Sequence, residues 1–108
     1  MLVGWKVLSR GRWSCWIKGK RGKAVHYPKN KWARPHKGNG PLAVFTSEET
    51  ASIWAHSRKF DYNLNIHKCY YKPSKKTFLW RLLRGGNVKK RSHLPDGTAL
   101  ATAVKTLE

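Results

Sequence analysis

LAVFTSEETASIWAHSRK, residues 42–59, runs a short apolar segment straight into a helix start. Leu42 to Phe45 has the length and composition of a buried strand. Thr46 as N-cap with Glu49 three residues later makes a capping box, in which hydroxyl and carboxylate satisfy backbone N–H groups left open at a helix start. Glu48 and Glu49 also suit the positive end of the helix dipole, and Arg58 and Lys59 suit its negative end. Ile53, Trp54 and Ser57 continue a face from Thr50. A strand leading into a helix over about 47–59 therefore stands at the centre of the chain.

Toward the N-terminus, LVGWKVL (2–8) and WSCWIK (13–18) read as two strands joined by a hairpin-length link containing Gly11. AVHY (24–27) reads as a short third strand. The prolines, glycines and asparagines of PKNKWARPHKGNGP (28–41) argue against regular structure there. Toward the C-terminus, Asp61 to Asn63 is a turn, and LNIHKCYY (64–71) alternates as a strand. That alternation puts Leu64, Ile66, Lys68 and Tyr70 on one face, with Asn65, His67, Cys69 and Tyr71 on the other. Lys72 to Lys76 is a basic turn, Thr77 to Leu83 a strand, and Pro95 to Thr98 a turn. Ala99 to Leu107 is a last strand or a short helix. The fold expected is α+β: a curved antiparallel sheet of about five or six strands with one helix (about 47–59) packed against it. Its 108 residues form a single domain, 1–108.

The charge is lopsided. Net charge is +18, and the first acid, Glu48, follows eleven of the twenty-three lysines and arginines. Such a chain repels itself, and a polyanion would relieve the repulsion. Six tryptophans and 40% hydrophobic content argue against a disordered basic tail. Flat rings among unopposed bases suit nucleic acid, DNA or RNA. Most of the bases concentrate in four expected loop regions. Arg10 and Arg12 lead to Lys18, Lys20, Arg21 and Lys23; Lys29, Lys31, Arg34 and Lys37 follow. Lys72, Lys75 and Lys76 form the third group, and Lys89, Lys90 and Arg91 the fourth. All are candidate phosphate contacts, setting affinity and salt dependence more than sequence preference. Trp16, Trp32, Tyr27 and Tyr71 are candidate stacking rings, with Trp16 and Trp32 placed on the bases of a single strand.

Other chemistries are weaker. His67 and Cys69 share a strand face and could meet a metal with Cys15 and His26 or His36, but no C-x₂-C pair accompanies them. Outside the helix start and the C-terminus the acids are Asp61 and Asp96, both in turns, so neither a carboxylate cluster nor a nucleophile with an orienting acid is present. Gly38-Asn39-Gly40 precedes a strand and fits no phosphate-binding fingerprint. No enzyme activity and no cofactor are expected. Two cysteines do not make a disulfide framework, and no apolar run nears the ~20 residues of a membrane span. The opening Met1-Leu2-Val3-Gly4-Trp5 has no signal-peptide pattern, so a cytoplasmic protein without membrane contact is expected.

WKVLS near the start, HYPKNKW and GPLAVFTSEETASIWA in the middle, and LPDGTALATAVKTL at the end resemble a family of small, uncharacterised bacteriophage and bacterial proteins. That family has a GPLxVFxSxExA strand–helix junction and a C-terminal PxGT segment. Gly40 to Phe45, Ser47, Glu49, Ala51 and Pro95 to Thr98 match it. The resemblance covers about half the chain and implies a compact α+β unit of phage type, active in the host cytoplasm, with no catalytic residues to carry over. Beside nucleic-acid binding, it suggests an inhibitor of the anti-CRISPR or anti-defence type that docks on a host nucleoprotein complex, or a sponge for small nucleotide signals.

Overall fold

A computed structural model describes residues 2–9, 11–14, 25–36, 41–57, 64–76 and 96–107, and the backbone of 78–79 and 89–90. The elements are β1 (Leu2–Ser9), β2 (Trp13–Ser14), β3 (Trp32–Ala33), β4 (Leu42–Phe45), α1 (Glu48–Ser57), β5 (Asn65–Pro73), β6 (Phe78–Leu79), β7 (Lys89–Lys90) and β8 (Thr98–Thr106). All pairings among the described residues are antiparallel. β1 pairs with β4, β4 with β8, β8 with β5, and β5 again with β1, so the sheet closes into a small barrel. β2 extends it beside β1 and β3 beside β8. Closure gives β1, β4, β5 and β8 a partner on each side, so these strands present no open edge of the kind that invites aggregation in a flat sheet.

Strand alternation divides the apolar residues between two cores. Leu8, Tyr27, Leu42, Val44, Cys69, Tyr71, Ala101 and Val104 fill the barrel. Val7 and Phe45 point outward and are covered by α1 through Ala51, with Trp5, Trp54, Ala55, Leu64 and Ile66 packed around them. Burying a side chain such as Leu8 or Phe45 contributes about 1.5–3 kcal/mol. β8 serves the barrel along its whole length because its phase shifts once. Lys72 pairs with Ala103 and Pro73 with Ala101, leaving Thr102 as the extra residue of a bulge. Ala99 and Ala101 therefore face the interior before it, and Val104 after it.

Two glycines carry specific loads. Gly4 lies under the Tyr71 ring, and a Cβ there would sit 3.0 Å from both Tyr71 Cε1 and the Phe45 carbonyl. Gly97, at φ 79°, turns the chain into β8, and a Cβ there would meet Thr50 Oγ1 at 2.8 Å.

The expected α+β architecture holds, as do the central strand–helix junction, the faces of residues 64–71 and a turn at Asp96-Gly97; Pro95 lies outside the described residues. Several details differ. Ser47, not Thr46, caps α1: its Oγ accepts the Thr50 N–H at 3.2 Å. Thr46 is still held by the sheet, donating its N–H at 2.8 Å and its hydroxyl at 3.2 Å to the Gly97 carbonyl. The inward face of α1 is Ala51, Trp54 and Ala55, while Ile53 is exposed.

The expected third strand is reduced to a single bridge, His26 to Trp13. Conversely, the expected irregular stretch 28–41 contains β3. Asn30 takes φ 59° and gives its N–H to the Thr106 carbonyl at 2.8 Å, which turns Trp32 and Ala33 alongside β8. Lys72 and Pro73 belong to β5 rather than to a turn. Of the strand expected at 77–83, Phe78 and Leu79 are described, as β6, and among the described residues they pair with β7 in a separate two-stranded sheet. Lys89 and Lys90 thus lie on a strand. The choice left open for residues 99–107 resolves to a strand.

Candidate nucleic-acid interface

The register of four neighbouring strands builds one row of side chains. Trp32 on β3 is opposite Lys105 on β8, Lys105 is opposite Tyr70 on β5, and Tyr70 is opposite Val3 on β1. Directly opposed residues share a sheet face. The neighbours of Tyr70 in the barrel wall, Cys69 and Tyr71, point into the core, so this row lies on the outside. Val3 is exposed and the other three are half-buried. Lys68 and Lys72 flank Tyr70 on the same side of β5, both exposed. The outer surface is therefore two rings with lysines between and beside them.

Lys72 links the row to the next one. Its ammonium lies 4.9 Å from the centroid of the Trp32 ring. To get there the side chain crosses β8 at Ala103, its own register partner, and Ala103 is fully buried although it faces outward. A cation–π contact at an exposed site is worth about 0.5–1 kcal/mol. A base stacked on an aromatic ring is worth about 1–3 kcal/mol. A base can therefore displace the Lys72 ammonium from Trp32 and leave it free for a phosphate.

Loop bases adjoin the row. The turn carrying exposed Lys29 and Lys31 is fixed to the end of β8 by Asn30, and exposed Arg34 follows β3. The described acids lie elsewhere. Glu48 and Glu49 open α1, and Asp96 precedes Gly97, whose carbonyl is bound by Thr46 just before the helix. These three described carboxylates gather at the Thr98 end of β8. Seven residues at ~3.3 Å each separate Thr98 from Lys105, roughly 20 Å.

Not every residue expected to bind belongs here. Tyr27 and Tyr71 are core residues, 1% and 5% exposed, and cannot stack on a ligand. Arg12 is half-buried and spans the barrel end: its Nε donates to the Tyr27 carbonyl at 2.7 Å and its guanidinium to Thr106 Oγ1. Those bonds also hold its backbone at φ 67°, where few non-glycine residues sit. Arg12 is thereby structural. Lys75 and Lys76 are exposed after β5, beyond the row. Arg10, Trp16, Lys18, Lys20, Arg21, Lys23, Lys37 and Arg91 lie outside the described residues, as do the side chains of Lys89 and Lys90.

Sequence reasoning passed over Tyr70, Lys68 and Lys105. The alternation of residues 64–71 had already put Lys68 and Tyr70 on one face; only the pairing with β8 reveals that Lys105 stands between Tyr70 and Trp32.

The basic residue Lys6 is spent internally, 8% exposed, donating from Nζ to the Ala43 carbonyl at 2.6 Å and lying 5.0 Å from the Tyr27 ring centroid. Near it, burial pushes the Cys69 thiol up from 9.0 to about 11, against smaller lowering effects of the Lys6 charge and a Gly4 backbone hydrogen bond. A metal ligand needs the thiolate, which this site disfavours. The His26 ring packs against Trp13, centroids 4.8 Å apart and tilted by 46°, with Nε2 3.0 Å from the Gly11 carbonyl. Among the described residues, no group of three His, Cys, Asp or Glu side chains is placed to hold a metal ion.

The Cys69 shift has a consequence for stability. An acid whose folded pKa exceeds its unfolded one makes the native state hold protons that the unfolded state releases, so stability falls as pH rises from ~9 to ~11. The full effect is roughly 2–3 kcal/mol. Burial raises Tyr71 as well, which acts in the same direction at still higher pH. Urea midpoints measured across this range should drop further for the wild type than for Cys69→Ala; equal drops would refute the assignment.

Compared with protein-family models, with curated proteins and with solved structures, the chain matches none. No helix among the described residues is long and apolar enough to cross a membrane.

Proposed function

We propose that the protein binds nucleic acid without chemistry, mainly through phosphates and with little sequence preference. The observation that carries this is the separation of charge along β8. Glu48, Glu49 and Asp96 gather at one end, while Lys105, Lys68, Lys72, Lys29 and Lys31 surround two rings toward the other. A charge of +18 spread only for solubility would not need this arrangement. A polyanion can approach the basic side without meeting those carboxylates. Such binding belongs to the cytoplasm, where DNA and RNA are accessible, and the host cytoplasm if the chain is phage-encoded.

The test is a mobility-shift series on single- and double-stranded DNA and RNA of unrelated sequence. Micromolar or tighter binding that collapses between about 50 and 500 mM salt is expected. Failure to retain any of the four at low salt, together with salt-resistant capture of one host protein or a thermal shift with a cyclic dinucleotide, would replace this function by docking or nucleotide sequestration.

A further inference from the structure

We infer that the outer face of β3, β8 and β5 is a stacking platform for a single-stranded polynucleotide, with Trp32 and Tyr70 as the two base-binding rings and Lys105 beneath the phosphate that joins the bases. The inference rests on the nucleic-acid reading and narrows it to one surface and one kind of strand.

Three observations converge. First, the rings occupy strands two spacings apart in one register row, roughly 10 Å, with a lysine between them. Second, Trp32 already carries a cation on its face, and that cation belongs to an exposed, flexible side chain. A base arriving on Trp32 displaces Lys72 toward the adjoining phosphate, so one event makes both interactions. Third, Lys68, Lys29 and Lys31 continue the positive track on the Thr106 side of the row, and Lys72 lies on the other. A duplex keeps its base faces inside its own stack and offers such rings nothing. Unpaired bases expose those faces, and every base has one, which suits the lack of sequence preference.

The test compares oligothymidine and oligouridine with a duplex of the same length. Trp32→Leu and Tyr70→Leu should each weaken single-strand binding about tenfold, leave duplex binding within about twofold, and leave the salt slope unchanged. Loss in either the DNA or the RNA arm supports the platform, and the arm with the larger loss identifies its strand. The wild type supplies a second readout. Its Trp32 indole N–H resonance, assigned by comparison with Trp32→Phe, should shift on adding oligothymidine or oligouridine and not on adding duplex. Folded variants with wild-type single-strand affinity, or an indole signal unmoved at saturation, would overturn the platform while leaving phosphate binding intact. Absence of binding to all three by the wild type would instead remove the nucleic-acid function itself.

Discussion

Replacing Lys68, Lys72 and Lys105 together with glutamine should lower affinity for a single-stranded oligonucleotide by roughly 50-fold at physiological salt. The figure follows from counterion release: each phosphate neutralised on a single strand adds ~0.7 to the salt slope, or about fourfold in affinity near 0.15 M. With three phosphates no longer neutralised, the log–log salt plot should flatten by about two units. Glutamine keeps much of each aliphatic stem, so the fold should survive. Lys68 and Lys72 are exposed and Lys105 is half-buried, which makes Lys105 the position where near-ultraviolet circular dichroism should be compared with the wild type. The same change at Lys75 and Lys76, exposed beyond the row, is the control for the pair Lys68 and Lys72: it removes equal charge and should cost less. Equal losses in the two pairs would mean that total charge, and not the surface of β5 and β8, sets affinity.

Gly4→Val should destabilise the protein by about 3 kcal/mol or more, enough to lower the melting temperature by at least ~10 °C in a domain of this size. The glycine sits in the barrel wall where β1 faces Cys69 on β5, and the space above it is filled by Tyr71. Its Cβ would already stand 3.0 Å from a backbone oxygen, Phe45 O, that cannot move without shifting β4. Valine adds two methyl groups at that crowded point. Thermal denaturation checks the size of the effect, and a double-mutant cycle checks its cause. Gly4→Ala combined with Tyr71→Leu should cost less than the sum of the two single changes, because the ring is half of the obstruction. Strict additivity would show that the clash with the Phe45 carbonyl accounts for it all.

The sequence makes legible those features that depend on short-range chemistry. Acids at a helix start, apolar alternation in residues 64–71 and the Asp96-Gly97 turn all act within a few residues, and all appear in the structure. The cap moved from Thr46 to Ser47 because the sheet holds Thr46, through a residue fifty-one positions away. β3 was missed for a similar reason. Two residues between prolines have no periodicity of their own, and Trp32 and Ala33 are a strand only because β8 lies beside them. The candidate site followed the same division. Trp32, Lys72, Arg34, Lys29 and Lys31 could be named from charge and composition, whereas Tyr27 and Tyr71 were mistaken for surface rings and Arg12 for a free cation. Which tyrosine faces water is a property of barrel closure. Residues 70 and 71 are neighbours, and the pleat sends one to each side of the wall.

The placement of Glu48, Glu49 and Asp96 at one end of β8 also bears on how a partner is met. Under the proposed function, the described acids repel an approaching polyanion at one end of β8 while Lys105, Lys68 and Lys72 attract it toward the other, which favours an approach with Trp32 and Tyr70 leading. Orientation before contact raises the fraction of collisions that are productive, which is a gain in association rate and not in the lifetime of the complex.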